Sequence, residues 1–131
     1  MGRSGYTEDC ENVALWRGAV ERALYGKRGQ AFLRELIASL DAMPEKVLIA
    51  EQLIDSEGRC CALGAVYKSR GIGVDAIDYW DAGVVGDSLG IARAMAAEIE
   101  YMNDEHFSRI TPAERWVKIR EWAKSYIIKL D

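Results

Sequence analysis

Gly58-Arg59-Cys60-Cys61-Ala62-Leu63-Gly64-Ala65-Val66-Tyr67-Lys68-Ser69-Arg70-Gly71 is the stretch that decides the fold. Its middle, Cys60 to Tyr67, is apolar almost all round. A helix with no polar face belongs inside a protein, covered on every side. The sequence therefore predicts a short buried helix from Cys61 to Arg70, stopped by Gly71 and packed against the second and last helices. Gly64 fits that place, because a residue without a side chain lets a neighbouring backbone come close. Cys61 is expected to be buried and reduced.

Outward from this centre the chain reads as helix after helix. Val13, Trp16, Val20 and Leu24 recur at three and four residues, one face of a helix over 10–25 with Asp9 as cap and Gly26 as stop. Phe32, Leu33, Leu36, Ile37 and Leu40 mark a second helix from Gly29 to Met43, ended by Pro44. The short link 26–29 makes these two antiparallel neighbours. Residues 46–60 carry no helical stripe and end in the turn signal Asp55-Ser56-Glu57-Gly58, which fits a small β-hairpin or an irregular extended segment. A helix of moderate quality is expected over Asp75–Leu89, beginning near Asp78, and another over Ile91–Met102, with 103–108 a loop. Thr111-Pro112-Ala113-Glu114 supplies a capping hydroxyl, a proline at the first helical position and a glutamate at the third, the strongest start signal in the chain. The expectation is a mainly α fold: one domain over 1–131, a compact bundle of five to six helices.

The formal net charge of −4 is unevenly spread. Residues 1–50 hold seven basic and seven acidic side chains, residues 51–110 five and eleven, and residues 111–131 five and three. An acidic middle repels nucleic acid, so free nucleic acid is not an expected partner. A basic protein surface is. Asp75, Asp78, Asp81, Asp87, Asp104 and Glu105 are the candidate partner-binding residues. Arg22, Lys27, Arg28 and Arg34 cluster around a helix start and form a candidate anion site, since a helix N-terminus attracts phosphate. Lys27 and Arg28 equally suit the negative end of the preceding helix.

The inventory for chemistry is thin. Nucleophilic catalysis needs a Ser, Thr or Cys beside a base, and His106 is the one histidine. Cys10, Cys60 and Cys61 have no paired-knuckle spacing, so neither zinc nor a disulfide is expected. The pair Asp104-Glu105 is read as a solvated turn rather than as an acid–base site. Val84–Met102 has the outline of a helix-turn-helix, but its outward positions (Ala92, Arg93, Ala96, Ala97 and Glu100) offer too little positive charge for phosphates. No apolar run approaches the roughly 20 residues of a membrane span. Met1–Tyr6 lacks the apolar core of a secretory signal, so a cytoplasmic, non-enzymatic protein without cofactor or metal is expected.

Several segments carry a resemblance. Arg3-Ser4-Gly5-Tyr6, Trp16-Arg17-Gly18-Ala19-Val20, Gly29-Gln30-Ala31-Phe32-Leu33, Cys61-Ala62-Leu63-Gly64-Ala65, Asn103-Asp104-Glu105 and Thr111-Pro112-Ala113-Glu114-Arg115-Trp116 together span nearly the whole chain. In these the chain resembles a family of uncharacterised small proteins encoded by bacteriophages and prophages of proteobacteria. The Cys-Ala-Leu-Gly-Ala and Asn-Asp segments are also similar to a second helical family of unknown function. Neither resemblance brings an activity, a cofactor or a catalytic residue. The first implies a setting, the cytoplasm of a bacterial host cell, where small acidic phage proteins bind and redirect host protein complexes, defence systems among them. The reading from another class is a small-ligand or nucleotide-phosphate binder built on the basic inter-helix link.

Overall fold

The computed structural model describes residues 3–4, 13–106 and 109–128. Cys10 and the proposed cap Asp9 lie outside them. Among the described residues six α-helices form a compact bundle: α1 (Val13–Tyr25), α2 (Lys27–Ala42), α3 (Ala62–Arg70), α4 (Ala82–Leu89), α5 (Arg93–Tyr101) and α6 (Pro112–Ser125). A π-helical turn, Met102–His106, continues α5. There are no strands among the described residues.

α3 is the centre. Every residue from Ala62 to Tyr67 is buried, and Cys61 caps the helix, its Sγ accepting from the Gly64 N–H at 3.4 Å. Gly71 closes it with a left-handed φ of 70°. The main neighbours of α3 are α2 and α5, which replaces the expected contact with the last helix. The reason is that α6 lies against α2, with the Trp116 Nε1–H donating to the Leu40 carbonyl at 3.1 Å. A Cβ on Gly64 would stand 1.9 Å from the Leu53 carbonyl oxygen, so the chain before α3 runs directly against the helix backbone.

Residues 46–60 do not make a hairpin ladder. One antiparallel bridge, Ile54 to Cys60, closes the turn, and the Asp55 carboxylate accepts from the Glu57 and Arg59 N–H groups at 2.9 Å each. The remaining partners of this stretch are scattered, with Leu48 N–H reaching the Pro112 carbonyl at 3.0 Å, so no register is set.

Other boundaries also moved. A single residue, Gly26, separates α1 from α2. The helix expected over 75–89 forms only from Ala82, capped by Asp81, whose Oδ1 accepts from the Gly83 and Val84 N–H groups at 2.9 and 3.2 Å. On α5, Ala96, Ala97 and Glu100, read as outward from sequence, are fully buried, because α1, α3 and α4 all pack on this one helix. The loop expected at 103–108 is the π-helical turn through His106; Phe107 and Ser108 lie outside the described residues. α6 starts as the sequence signal says, with both bonds of its capping box at 3.1 Å. Among the described residues, no helix is long and apolar enough to cross a membrane.

Candidate functional site

Between Arg70 and Arg93 the chain carries four aspartates and no basic residue. The backbone leaves the helical path at Gly71 and stays irregular to Asp81. Short carboxylates hold this path by capturing nearby N–H groups, as Asp78 does with Trp80 N–H at 3.1 Å. Asp75, Asp78, Asp81 and Asp87 are all exposed. Within the same stretch Trp80 is 56% exposed, with Ile72 and Val84 each at 39%. Tyr79 sits beside Trp80, ring centroids 6.0 Å apart. The result is an exposed acidic segment with a large aromatic side chain uncovered in it.

The other two acids of the expected partner surface lie elsewhere. The π-helical turn widens the backbone at the end of α5 and turns Asn103, Asp104 and Glu105 toward Arg3 and Ser4. Asp104 takes the Arg3 guanidinium with both oxygens, Nε to Oδ2 at 2.6 Å and Nη2 to Oδ1 at 3.0 Å. Glu105 Oε2 accepts from the Ser4 hydroxyl at 2.5 Å. Glu100, fully buried, has Oε2 3.8 Å from Arg3 Nε. Among the described residues neither Glu100 oxygen has a hydrogen-bond partner, and Arg3 Nη1 has none either.

Asn103 fixes this group to the rest of the fold. Its Oδ1 accepts from the Ala62 N–H at the start of α3 at 3.1 Å, and its Nδ2 donates to the Ile49 carbonyl at 2.9 Å and to Asp104 Oδ1 at 2.7 Å. Arg115 of α6 donates from Nε to the Asn103 carbonyl at 2.7 Å. Glu51, held at a left-handed φ of 69°, donates its N–H to Asp104 Oδ1 at 3.0 Å. Backbone strain of that kind persists only where the surroundings over-determine it.

The electrostatics follow from burial. Loss of water pushes the Glu100 carboxyl up to about 8; Arg3 opposes this and the charges of Asp104 and Asp81 add to it. Burial also works against the Arg3 charge, but Cys61 and Asp104 beside it outweigh that and hold the guanidinium above its ordinary value. Burial raises the Tyr67 phenol, whose hydroxyl is paired with Ser88. Cys60, also buried, has its thiol pushed up to about 11, by burial first and then by Cys61, which leaves it a poor nucleophile at neutral pH.

Of the four candidate anion-site residues, three come together. Arg22, Lys27 and Arg28 line a cavity of about 270 Å³ between the α1–α2 junction and the residues Ile91, Ala92 and Met95. α2 begins here behind Gly26 without a side-chain cap. Arg34 is not part of it and donates to the Ile128 carbonyl at 3.2 Å. Among the described residues, no group of three or more His, Cys, Asp and Glu side chains is placed to hold a metal ion.

Sequence reasoning missed Trp80, Arg3 and Glu100. Trp80 had a signal, an aromatic residue between two aspartates in a stretch with no base. Glu100 had one too, an acid on a helix whose other positions are mostly apolar. No family model, no curated protein and no solved structure matches the chain.

Proposed function

We propose that this protein is a non-enzymatic binding module that docks on a basic protein surface through residues 72–87. The observation that carries the reading is the exposed Trp80 ring among Asp75, Asp78, Asp81 and Asp87. Tryptophan is over-represented among the few residues that dominate binding energy, and charge of one sign around it speeds encounter with the opposite sign. Asp104 and Glu105 are committed to Arg3 and Ser4, so the docking surface rests on the four aspartates and Trp80. Taken with the resemblance to phage and prophage proteins, the partner is a protein of the bacterial host, and the effect is modulation of its complex by stoichiometric association, inhibition of a defence system being one such case.

The test is affinity capture from host lysate followed by measurement with the purified partner. Trp80→Ala is expected to weaken binding about 30-fold or more, the scale of a hot-spot residue. Asp75→Lys with Asp87→Lys is expected to slow association at low salt and to leave dissociation nearly unchanged. These two are chosen because Asp78 and Asp81 also hold the local backbone. Equal capture by wild type and both variants, or no partner at moderate salt, overturns the reading.

A second reading is favoured by the basic cavity. Arg22, Lys27 and Arg28 around the uncapped start of α2 suit a phosphate or nucleotide. A nucleotide at 100 times its dissociation constant is expected to add about 2.7 kcal/mol to stability. The shift is expected to vanish in Lys27→Ala/Arg28→Ala. No shift with any nucleotide, or one that survives this double substitution, rejects it.

A further inference from the structure

We propose that the slot formed by Asp104, Glu100 and Asn103 at the start of α3 is a guanidinium-binding site in its own right, filled in this structure by Arg3 and able to accept an arginine side chain from another molecule. Two of the three walls, Asp104 and Asn103, are set by bonds that do not involve Arg3. Asp104 Oδ1 is held by the Glu51 N–H and by Asn103 Nδ2, and Asn103 is held at Ala62, at Ile49 and through Arg115. A site fixed by its own scaffold keeps its shape when the occupant leaves, which lowers the cost of refilling it.

The chemistry selects guanidinium. Asp104 presents two oxygens to two parallel N–H donors, at 2.6 and 3.0 Å, a fork that an ammonium group does not match. The slot also has capacity that Arg3 leaves unused. Among the described residues both oxygens of the fully buried Glu100 lack a hydrogen-bond partner, so a second carboxyl group faces the guanidinium without being bonded to it. Glu105 extends the recognition by one residue, since it accepts from the hydroxyl of Ser4. The ligand class is therefore an arginine followed by a hydroxyl residue, in a peptide or on a protein surface.

The experiment uses the full chain carrying Arg3→Ala and the probe acetyl-Arg-Ser-amide, with acetyl-Lys-Ser-amide as control at equal ionic strength. The variant is expected to melt below wild type, and the arginyl probe to raise its Tm saturably, by at least about 3 °C. The lysyl control is expected to have a much smaller effect, wild type no saturable response, and Arg3→Ala/Asp104→Asn none. If Arg3→Ala does not fold alone, recovery of its helical circular dichroism during refolding with each probe is the readout, and Arg3→Lys is tested beside it. Equal responses to the two probes, equal responses of wild type and variant, or no response in either assay overturns the proposal. Such a failure leaves the Trp80 surface untouched, because the two rest on different residues.

Discussion

Gly64→Ala is expected to cost more than about 3 kcal/mol, beyond the common range for overpacking, and to leave little folded protein. One methyl group does this because of what it meets. The added Cβ would stand 1.9 Å from the Leu53 carbonyl oxygen and 2.8 Å from its carbon, both backbone atoms with no rotamer to yield. To make room, α3 has to move away from residues 53–54. That shift would break the bond from the Cys61 N–H to the Leu53 carbonyl, 3.1 Å long, and the bridge between Ile54 and Cys60. It would also open the packing of Ala62–Tyr67 against α2 and α5. With total stabilities of about 5–15 kcal/mol for ordinary domains, the margin is small. Urea unfolding followed by circular dichroism measures it. Gly73→Ala is the control, since a Cβ there meets nothing within 4 Å, and its effect is expected to stay within about 0.5 kcal/mol. If Gly64→Ala unfolds at the same urea concentration as wild type, the close approach is not real.

The parts of this fold that could be read from sequence are those whose cause lies within a few residues. The run Ala62–Tyr67 contains in itself the reason it is buried, and Thr111 with Glu114 contains the whole of a helix start. The stripe from Phe32 to Leu40 is likewise its own explanation, with Phe32, Leu33, Leu36 and Leu40 in the core. The misreadings have long-range causes. Asp104 and Glu105 look like solvated turn acids until Arg3 and Ser4 arrive from 101 residues away. Glu100 looks like an outward helix position because one helix face can be assigned from periodicity, whereas burial from several sides depends on where α1, α3 and α4 come to rest. Residues 46–60 allow a hairpin or an irregular extended segment, and the irregular path is the one taken, because their hydrogen bonds go to Pro112 and Asn103 as well as to each other. Trp80 inverts the usual rule, an aromatic residue left outside, and the aspartates on either side of it are the one local sign of that.

The acid inside this cluster gives the stability of the protein a definite pH dependence. Burial holds the Glu100 carboxyl at about 8 in the fold, against an ordinary value of 4.5 in the unfolded chain. A raised carboxyl means that the folded state prefers the proton. Below pH 4.5 both states carry it and Glu100 exacts no penalty. Between 4.5 and 8 the unfolded chain gives up its proton first, so stability falls as pH rises, and above 8 the whole penalty is present. Each unit of difference is worth about 1.4 kcal/mol, which puts the total on the order of 5 kcal/mol. The depressed carboxyls work in the other direction and in another window. Glu35 beside Arg70, Asp41 beside Arg120, Asp55 bonded by local N–H groups, and Glu114 bonded to Thr111 lose their contribution as pH falls below their ordinary values of 3.8 to 4.5. Maximum stability is therefore expected near pH 5, followed by a decline toward pH 8. Glu100→Gln has the shape of the neutral acid and cannot ionise. It is expected to match wild type within about 1 kcal/mol at pH 5, as shape-conserving swaps do. At pH 8.5 it should exceed wild type by about 3–5 kcal/mol, most of the penalty it no longer carries. Urea midpoints of both proteins from pH 5 to 9 decide the matter. A wild type that is flat across this range, or a variant that declines in parallel with it, means that Glu100 keeps its charge in the fold and that the cluster holds two ionised carboxylates against Arg3.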